Sequence, residues 1–237
     1  MNLDQTLAAN LASVKARIAA ACARAGRDAT EVTLIGVTKS VDAATTDALI
    51  AQGVVAIGEN RQQDAAEKFP RLRNLAAVTR HFIGPLQRNK VRRVLELFDV
   101  IHSVDSTRLA DEIEKRAIEL GRPRVDVFVQ VNVAGETQKQ GLPPDDLVTA
   151  LQHLALHCPR LRVLGLMCMA PHLDDPKAAR PHFARLRTLA QVPINCGVCQ
   201  NLPGLSMGMS GDFEVAIEEG ATHVRVGTAL FEGLPPR

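Results

Sequence analysis

The segment "VTLIGVTKSVDAATTDALIAQGVVAIGEN", residues 32–60, contains two short apolar runs separated by a longer amphipathic stretch. The runs 32–39 and 54–58 are rich in β-branched side chains, which favour strands. Asp42 stands where a helix can begin, because its side chain can accept a hydrogen bond from a free backbone N–H. The segment therefore predicts a right-handed βαβ unit with two parallel strands.

The same alternation continues along the whole chain. The predicted strands span residues 32–39, 54–58, 81–84, 100–104, 125–133, 163–169, 205–209 and 223–227. Helices are predicted to begin near residues 42, 59, 87, 106, 144, 176 and 211, and an amphipathic helix precedes the first strand. Eight such units in about 250 residues predict one α/β domain over residues 1–237, a closed (β/α)8 TIM barrel. An open doubly wound sheet is the alternative, although no turn has the G-x-G-x-x-G pattern of a dinucleotide site.

Composition limits the range of functions. The formal net charge of +2 is too small to attract nucleic acid or an anionic membrane, and the chain lacks Trp and Tyr for stacking on bases. Five cysteines, an odd number, fit reduced thiols in the cytoplasm. No apolar run approaches the length of a membrane span. We therefore expect a cytoplasmic protein that binds neither nucleic acid nor membranes.

Strand periodicity predicts which side chains point into the barrel. In residues 125–133 four valines share one face and should pack on the helices, which turns Phe128 and Gln130 inward. In residues 223–227 the same alternation turns Arg225 inward. Lys39 is predicted to close the first strand on the face of Ile35 and Val37, at the end of the barrel where active sites lie.

Lys39 is the first candidate for chemistry. Apolar neighbours disfavour the charged form of a lysine, which makes the neutral, nucleophilic amine more available for a Schiff base with a carbonyl compound. The alternative is a lysine that merely extends into solvent at the strand end.

The C-terminal segment "LSMGMSGDFEVAIEEGATHVRVGTALFEG", residues 205–233, suggests a phosphate site. Ser210 and Gly211 stand at a predicted helix start, and Gly227 and Thr228 follow the last strand. Small residues allow backbone N–H groups to approach an anion, and barrels often bind phosphate after strands seven and eight. The alternative is that Ser210 is only an N-cap and Gly227 only a tight turn.

Six segments, in order along the chain, resemble the YggS/PROSC family of pyridoxal phosphate homeostasis proteins. They are "GVTKS" (36–40), "IGENRQQ" (57–63), "HFIGPLQRNK" (81–90), "VQVNVAGETQKQG" (129–141), "GLMCMAP" (165–171) and the C-terminal segment. The resemblance implies a barrel like the N-terminal domain of alanine racemase that carries pyridoxal 5'-phosphate (PLP). It implies cofactor roles for Lys39, Asn60, Ser210, Arg225, Gly227 and Thr228.

In the roles that this resemblance implies, Lys39 holds PLP as an internal aldimine with Asn60 beside it. Arg225 faces the pyridine nitrogen, while Ser210, Gly227 and Thr228 bind the phosphate. Met207 and Met209 either pack near the ring or belong to the core. A permanent cation beside the pyridine nitrogen disfavours its protonation, so the ring becomes a weaker electron sink.

The implied function is a PLP-binding protein without turnover, which holds the cofactor, delivers it to apo PLP-enzymes and so maintains vitamin B6 and amino-acid balance. A racemase on the same barrel is the alternative, yet a two-base racemase of this kind uses a tyrosine from a second domain. The chain has no tyrosine, and eight units leave no room for that domain. A one-base racemase and a Schiff-base aldolase remain open. Without the second domain a monomer is expected.

Other candidates have ordinary interpretations. Cys196 and Cys199 have the spacing of half a zinc site but lack a second pair, so no metal site is predicted. His153 and His157 are four residues apart without the glutamate of H-E-x-x-H. The basic residues at 88, 90, 92 and 93 indicate a solvated helix face. The loop 135–141 carries Lys139, which could receive or release the cofactor.

Overall fold

The computed structural model describes residues 2–135, 140–171, 174–191 and 202–234. Within these ranges eight parallel strands form a closed barrel, with each strand beside its neighbours in chain order and β8 beside β1. The strands are β1 Thr33–Val37, β2 Ala56–Glu59, β3 Thr79–Phe82, β4 Val100–Val104, β5 Val125–Gln130, β6 Leu161–Met167, β7 Gly204–Met209 and β8 His223–Val226. The predicted (β/α)8 barrel is confirmed.

Eight α-helices surround or precede the strands in the described residues. They are α1 Leu3–Arg24, α2 Ala43–Ala51, α3 Gln62–Lys68, α4 Val91–Leu97, α5 Thr107–Glu119, α6 Leu147–His157, α7 Arg180–Ala190 and α8 Phe213–Glu218. The expected cap at Asp42 forms, because its side chain accepts the backbone N–H of Thr45 at 2.8 Å. α1 is amphipathic as predicted: it buries an apolar stripe from Leu7 to Ile18 and packs against α8, where Arg17 pairs with Glu214 at 2.6 Å.

The main core lies between the strands and the helices. Val125, Val127 and Val129 of β5 are almost fully buried there, as their alternation predicts. Each fully buried valine or leucine contributes roughly 1.5–3 kcal/mol relative to an exposed one. A second, smaller cluster of Val100, Phe128 and Met167 packs apart from this core.

Several predicted boundaries differ from the structure by two or three residues, and two of these differences affect the candidate site. β1 ends at Val37, so Lys39 lies in the turn that follows and is exposed rather than desolvated by Ile35 and Val37. α8 begins at Phe213, after the turn that contains Ser210 and Gly211. Ser210 is therefore not the N-cap, and the expected support from a helix N-terminus at Ser210 is not observed.

Among the described residues, no helix combines the length and the apolar character needed to cross a bilayer.

Candidate functional site

A cavity of about 520 Å³ opens at the carboxyl ends of the strands. This volume falls within the range of small-molecule sites, roughly 300–1,000 Å³. All six residues predicted for the cofactor line it: Lys39, Asn60, Ser210, Arg225, Gly227 and Thr228. The closure of the barrel brings them together, since β1 pairs with β8 in a register that sets Ile35 opposite Arg225.

A buried ion pair holds the backbone of the turn that carries Lys39. Lys68 Nζ donates to the Thr38 carbonyl oxygen at 2.6 Å and to Glu59 Oε1 at 2.7 Å. The Thr38 hydroxyl donates to the same Glu59 oxygen at 2.7 Å. All three residues are almost fully buried, so the backbone immediately before Lys39 is fixed while the Lys39 side chain remains free to meet a ligand.

Asn60 follows this glutamate and lies against the backbone of the next strand end. Ile83 donates its backbone N–H to the Glu59 carbonyl at 2.9 Å, which ties the two strand ends together. A Cβ atom placed on Gly84 would lie 2.1 Å from the Asn60 carbonyl oxygen. Only glycine fits at position 84, so the close approach fixes the Asn60 backbone beside the cavity that its residue lines.

The hydroxyl of Ser210 accepts hydrogen bonds from two backbone N–H groups that follow the last strand. Gly227 and Ala229 donate to its Oγ at 3.1 and 3.4 Å. A side chain at position 227 would place its Cβ 3.2 Å from the Val37 carbonyl oxygen, so the small residue keeps this approach open. Convergent N–H groups and a hydroxyl are the donors that a phosphate oxygen requires, although they come from a turn rather than a helix.

The turn 209–212 is braced by Asp212. Its Oδ1 accepts the Met209 backbone N–H at 2.6 Å. Burial raises the pKa of this carboxyl, while the Met209 hydrogen bond and the charge of Arg225 act in the opposite direction. Met209 lines the cavity and is partly exposed, whereas Met207 is fully buried in the main core, so the two methionines have different surroundings.

Arg225 points into the barrel as predicted and is buried. Nη1 donates to Ser206 Oγ at 2.6 Å, and Nη2 donates to the Cys168 carbonyl oxygen at 2.9 Å. Burial lowers the pKa of the guanidinium, and Cys168 and Asp212 oppose that effect. No carboxylate within the described ranges forms a salt bridge with Arg225, so its charge is satisfied only by neutral acceptors. Such a cation is suited to a ligand acceptor atom in the cavity.

A chain of hydrogen bonds continues from Arg225 into the barrel. Ser206 Oγ lies 2.8 Å from His102 Nδ1, and His102 Nε2 lies 2.8 Å from His81 Nδ1. Arginine can only donate, so the Ser206 hydroxyl accepts from Arg225. The Ser206 oxygen keeps a second lone pair and its own proton, so it can donate to His102 Nδ1 or accept from it, and the tautomer of each histidine sets the direction of the contacts with His102 and His81. This relay of hydrogen bonds links Arg225 to both histidines.

The histidines of the interior are neutral near pH 7. Burial lowers the pKa of His81 to about 3 and that of His223 to about 4. Burial, together with the neighbouring His81 and Arg225, lowers the pKa of His102 well below its ordinary value. The His102 ring stacks on Phe128 with centroids 4.5 Å apart. The relay therefore adds no second charge beside Arg225.

Sequence reasoning missed several of these supporting residues. His102, Ser206 and Lys68 were not singled out, and His81 was quoted only as part of a motif. The alternation of residues in the fourth and seventh strands could have predicted that His102 and Ser206 point into the barrel. It could not have predicted that they lie within hydrogen-bond distance of each other. Lys139, Cys196 and Cys199 lie outside the described residues. The basic residues Arg92 and Arg93 pair with Glu96 at 3.4 and 2.9 Å, as expected of a solvated helix face.

Comparisons with known proteins agree with this architecture. The family model described as "Alanine racemase, N-terminal domain" matches residues 7–235. The pyridoxal phosphate homeostasis protein of Aquifex aeolicus is 44% identical over 222 residues, which cover 93% of this chain and 95% of that protein. The Escherichia coli (strain K12) protein of the same name is 37% identical over 231 residues and covers 95% of each chain.

Solved structures extend these relationships. The structure of PipY from Synechococcus elongatus with PLP bound superposes with a TM-score of 0.81 at 37% identity and covers 95% of this chain and 99% of its own. An alanine racemase of Clostridium difficile shares the fold alone, with a TM-score of 0.76 at 15% identity over 57% of its chain.

The fold and the cavity thus define a barrel of the alanine racemase N-terminal class. Within that class, the chain belongs to the family of pyridoxal phosphate homeostasis proteins.

Proposed function

We propose that this chain binds PLP at the barrel mouth and serves in cytoplasmic PLP homeostasis, holding the cofactor and releasing it to apo PLP-enzymes without turning over a substrate. The names of the relatives and the PLP-bound PipY structure support the proposal. The observation that carries it is one cavity lined by an exposed lysine, a convergent pair of backbone N–H donors and a buried cation that pairs with no carboxylate of the described residues.

The residues of the cavity fit the parts of PLP. When bound, PLP supplies an aldehyde that condenses with amines and a ring that can delocalise a carbanion. Lys39 is exposed to the cavity and would hold the cofactor covalently, with Asn60 beside it. Ser210, Gly227 and Thr228 would bind the phosphate. The backbone N–H groups of Gly227 and Ala229 already converge on Ser210 Oγ, beside the position proposed for that phosphate.

Arg225 would meet the pyridine nitrogen as a donor. Because the guanidinium keeps its proton, it could only donate to that nitrogen, which would then stay unprotonated. An unprotonated ring stabilises a carbanion weakly, which suits storage better than catalysis. The absence of tyrosine from the chain also removes the second base of a two-base racemase.

An absorbance titration tests the binding of PLP. The chain mixed with PLP should develop the near-visible band of a covalently held cofactor, and Lys39→Ala should lose it. Lys177→Ala is a matched control, because Lys177 is exposed near the mouth but does not line the cavity. A chain without the band that cleaves a sugar phosphate would instead be the aldolase.

Racemase assays on several amino acids test the absence of turnover. Rates no greater than those of free PLP are expected. Turnover well above free PLP that depends on Lys39 would establish the one-base racemase alternative.

Delivery has its own test. If transfer is direct, the rate at which the PLP-loaded chain activates an apo PLP-enzyme should exceed the rate at which it loses PLP to a trapping amine. Equal rates would mean release through solution. Lys139→Ala is the variant for the proposed role of the loop lysine, and an unchanged transfer rate would remove that role.

A further inference from the structure

Three metal-ligating side chains meet on the outside of the barrel, away from the cavity. Asp111 lies on α5, His153 lies on α6, and Cys158 is the first residue after α6. One ligand atom from each falls within 4.8 Å of the other two. Asp111 Oδ1 lies 2.7 Å from His153 Nε2 and 3.7 Å from Cys158 Sγ.

The three donors are already held in place by hydrogen bonds. Asp111 Oδ1 accepts from both the imidazole and the thiol, so the carboxylate lies between the other two ligands. Zinc binds thiolate sulfur at about 2.3 Å and carboxylate oxygen at about 2.0–2.2 Å, so two such ligands in a tetrahedron stand about 3.5 Å apart. The observed separation of 3.7 Å is close to that value. The distance between His153 Nε2 and Asp111 Oδ1, now 2.7 Å, would increase by roughly 0.7 Å to reach the tetrahedral value.

We propose that Asp111, His153 and Cys158 bind one Zn²⁺ ion, with water in the fourth position, and so link α5 to α6. A thiolate, an imidazole and a carboxylate form a donor set that suits zinc over magnesium or calcium. His157 is not a member of the site, although its ring lies 4.7 Å from that of His153.

The surroundings favour entry of a cation. Asp111 and His153 are 52% and 31% exposed, which leaves a path for the ion, while Cys158 is buried at the base. Glu114, a second carboxylate on α5, also acts on the thiol, and its own charge is paired with Arg160 at 3.3 Å. Burial and these two carboxylates raise the pKa of Cys158 to about 12, so the free thiol is protonated.

Binding requires two proton rearrangements. The S–H bond of Cys158 breaks as the S–Zn bond forms, and its proton passes to the buffer. His153 moves its proton from Nε2 to Nδ1, which frees the Nε2 electron pair for the metal. No oxidant or other reactant is needed.

Cobalt provides the spectroscopic probe. We expect one equivalent of Co²⁺ to give the sulfur-to-metal charge-transfer band of a thiolate ligand, and Zn²⁺ to displace it. Cys158→Ala should abolish the band. Loss of an outer partner costs a metal site about 10–100-fold in affinity, so His153→Ala should weaken Zn²⁺ binding by at least about 100-fold.

A double variant, Cys196→Ser with Cys199→Ser, controls for the other cysteine pair and should keep the band. Zn²⁺ should also raise the melting temperature of the native chain and not that of Cys158→Ala, because a ligand that binds only the folded state stabilises it. Persistence of the band in Cys158→Ala, or its loss in the Cys196/Cys199 variant alone, would overturn the proposal. So would Co²⁺ binding without a thiolate band.

Discussion

Arg225 donates from Nη1 to Oγ of Ser206 over 2.6 Å, and this hydroxyl is the only link between the guanidinium and the histidines among the hydrogen bonds of the described residues. The side chains of Arg225 and Ser206 are both buried. Removing the hydroxyl therefore leaves two polar groups without their partner, one of them charged.

We expect Ser206→Ala to lower the free energy of unfolding by about 1–3 kcal/mol, because buried donors and acceptors lose their hydrogen bonds. The variant should also shift the absorbance of bound PLP, because Arg225 loses one of the two hydrogen bonds that orient it and keeps only the bond to the Cys168 carbonyl. Urea unfolding and a PLP spectrum measure the two effects. Ser206→Thr, which restores the hydroxyl, should restore the native spectrum.

Ser103→Ala is the matched control for that variant. Ser103 is also buried on a barrel strand, but its hydroxyl has no hydrogen-bond partner among the residues that the structure describes. Its removal should leave the PLP spectrum unchanged and the unfolding free energy equal or higher. Equal spectra for Ser206→Ala and the native chain would contradict the positioning role of Ser206.

The buried histidines predict that stability falls in mild acid. The pKa of His81 is about 3 in the folded chain, and that of His223 is about 4, against about 6.5 when unfolded. Between the folded pKa and about pH 6.5 the unfolded chain binds more protons than the folded chain. The contribution of each neutral histidine to the free energy of unfolding is therefore fully present above about pH 6.5 and is lost as the pH falls toward the folded pKa. Each histidine contributes a slope of about 1.4 kcal/mol per pH unit.

Urea unfolding at pH 7.5 and pH 5.0 measures this loss. His81→Gln should reduce the difference between the two pH values, whereas His182→Gln, on a helix outside the barrel, should leave it unchanged. A native chain that is equally stable at both pH values would refute the assignment of neutral interior histidines.

Replacing only one partner of the buried Lys68–Glu59 ion pair should lower the free energy of unfolding strongly. Its partners are 3% and 0% exposed at the side chain, with 2.7 Å between Lys68 Nζ and Glu59 Oε1. We expect Lys68→Met to cost about 3–5 kcal/mol in unfolding free energy, because Glu59 would remain as a buried unpaired charge. Replacing both residues, with Lys68→Met and Glu59→Leu, should recover most of that loss. A double variant no more stable than Lys68→Met would argue against an electrostatic origin.

Gly84 should tolerate no side chain. The Cβ of Gly84→Ala would lie 2.1 Å from the Asn60 carbonyl oxygen, so the strand end beside the cavity must move. We expect weaker PLP binding, by about tenfold or more, measured by the same absorbance titration. Gly211→Ala, whose Cβ would meet no atom of the described residues within 4 Å, should leave the unfolding free energy nearly unchanged. Native PLP affinity in Gly84→Ala would contradict the fixed position assigned to Asn60.

Local patterns predicted the architecture and the inward-facing side of the first, fifth and eighth strands. The alternation in the last strand was sufficient to predict that Arg225 points into the barrel. The valines of the fifth strand pack on the helices, as their alternation predicted. The turn after β1 was not predictable, because an apolar run does not reveal where pairing stops. The Ser206–His102 contact joins residues 104 positions apart and depends on barrel register. Lys68 was missed because helical spacing does not show that an ammonium group reaches a buried glutamate.

The most direct test of the central claim is mass spectrometry of the chain after loading with PLP and reduction with borohydride. Reduction fixes any carbon–nitrogen bond between the cofactor and a lysine, and digestion locates it. We predict one PLP per chain, attached at Lys39, with no label in Lys39→Ala and full label in Lys177→Ala. Label at another lysine of the native chain, or none, would contradict the assignment of Lys39 as the residue that holds the cofactor.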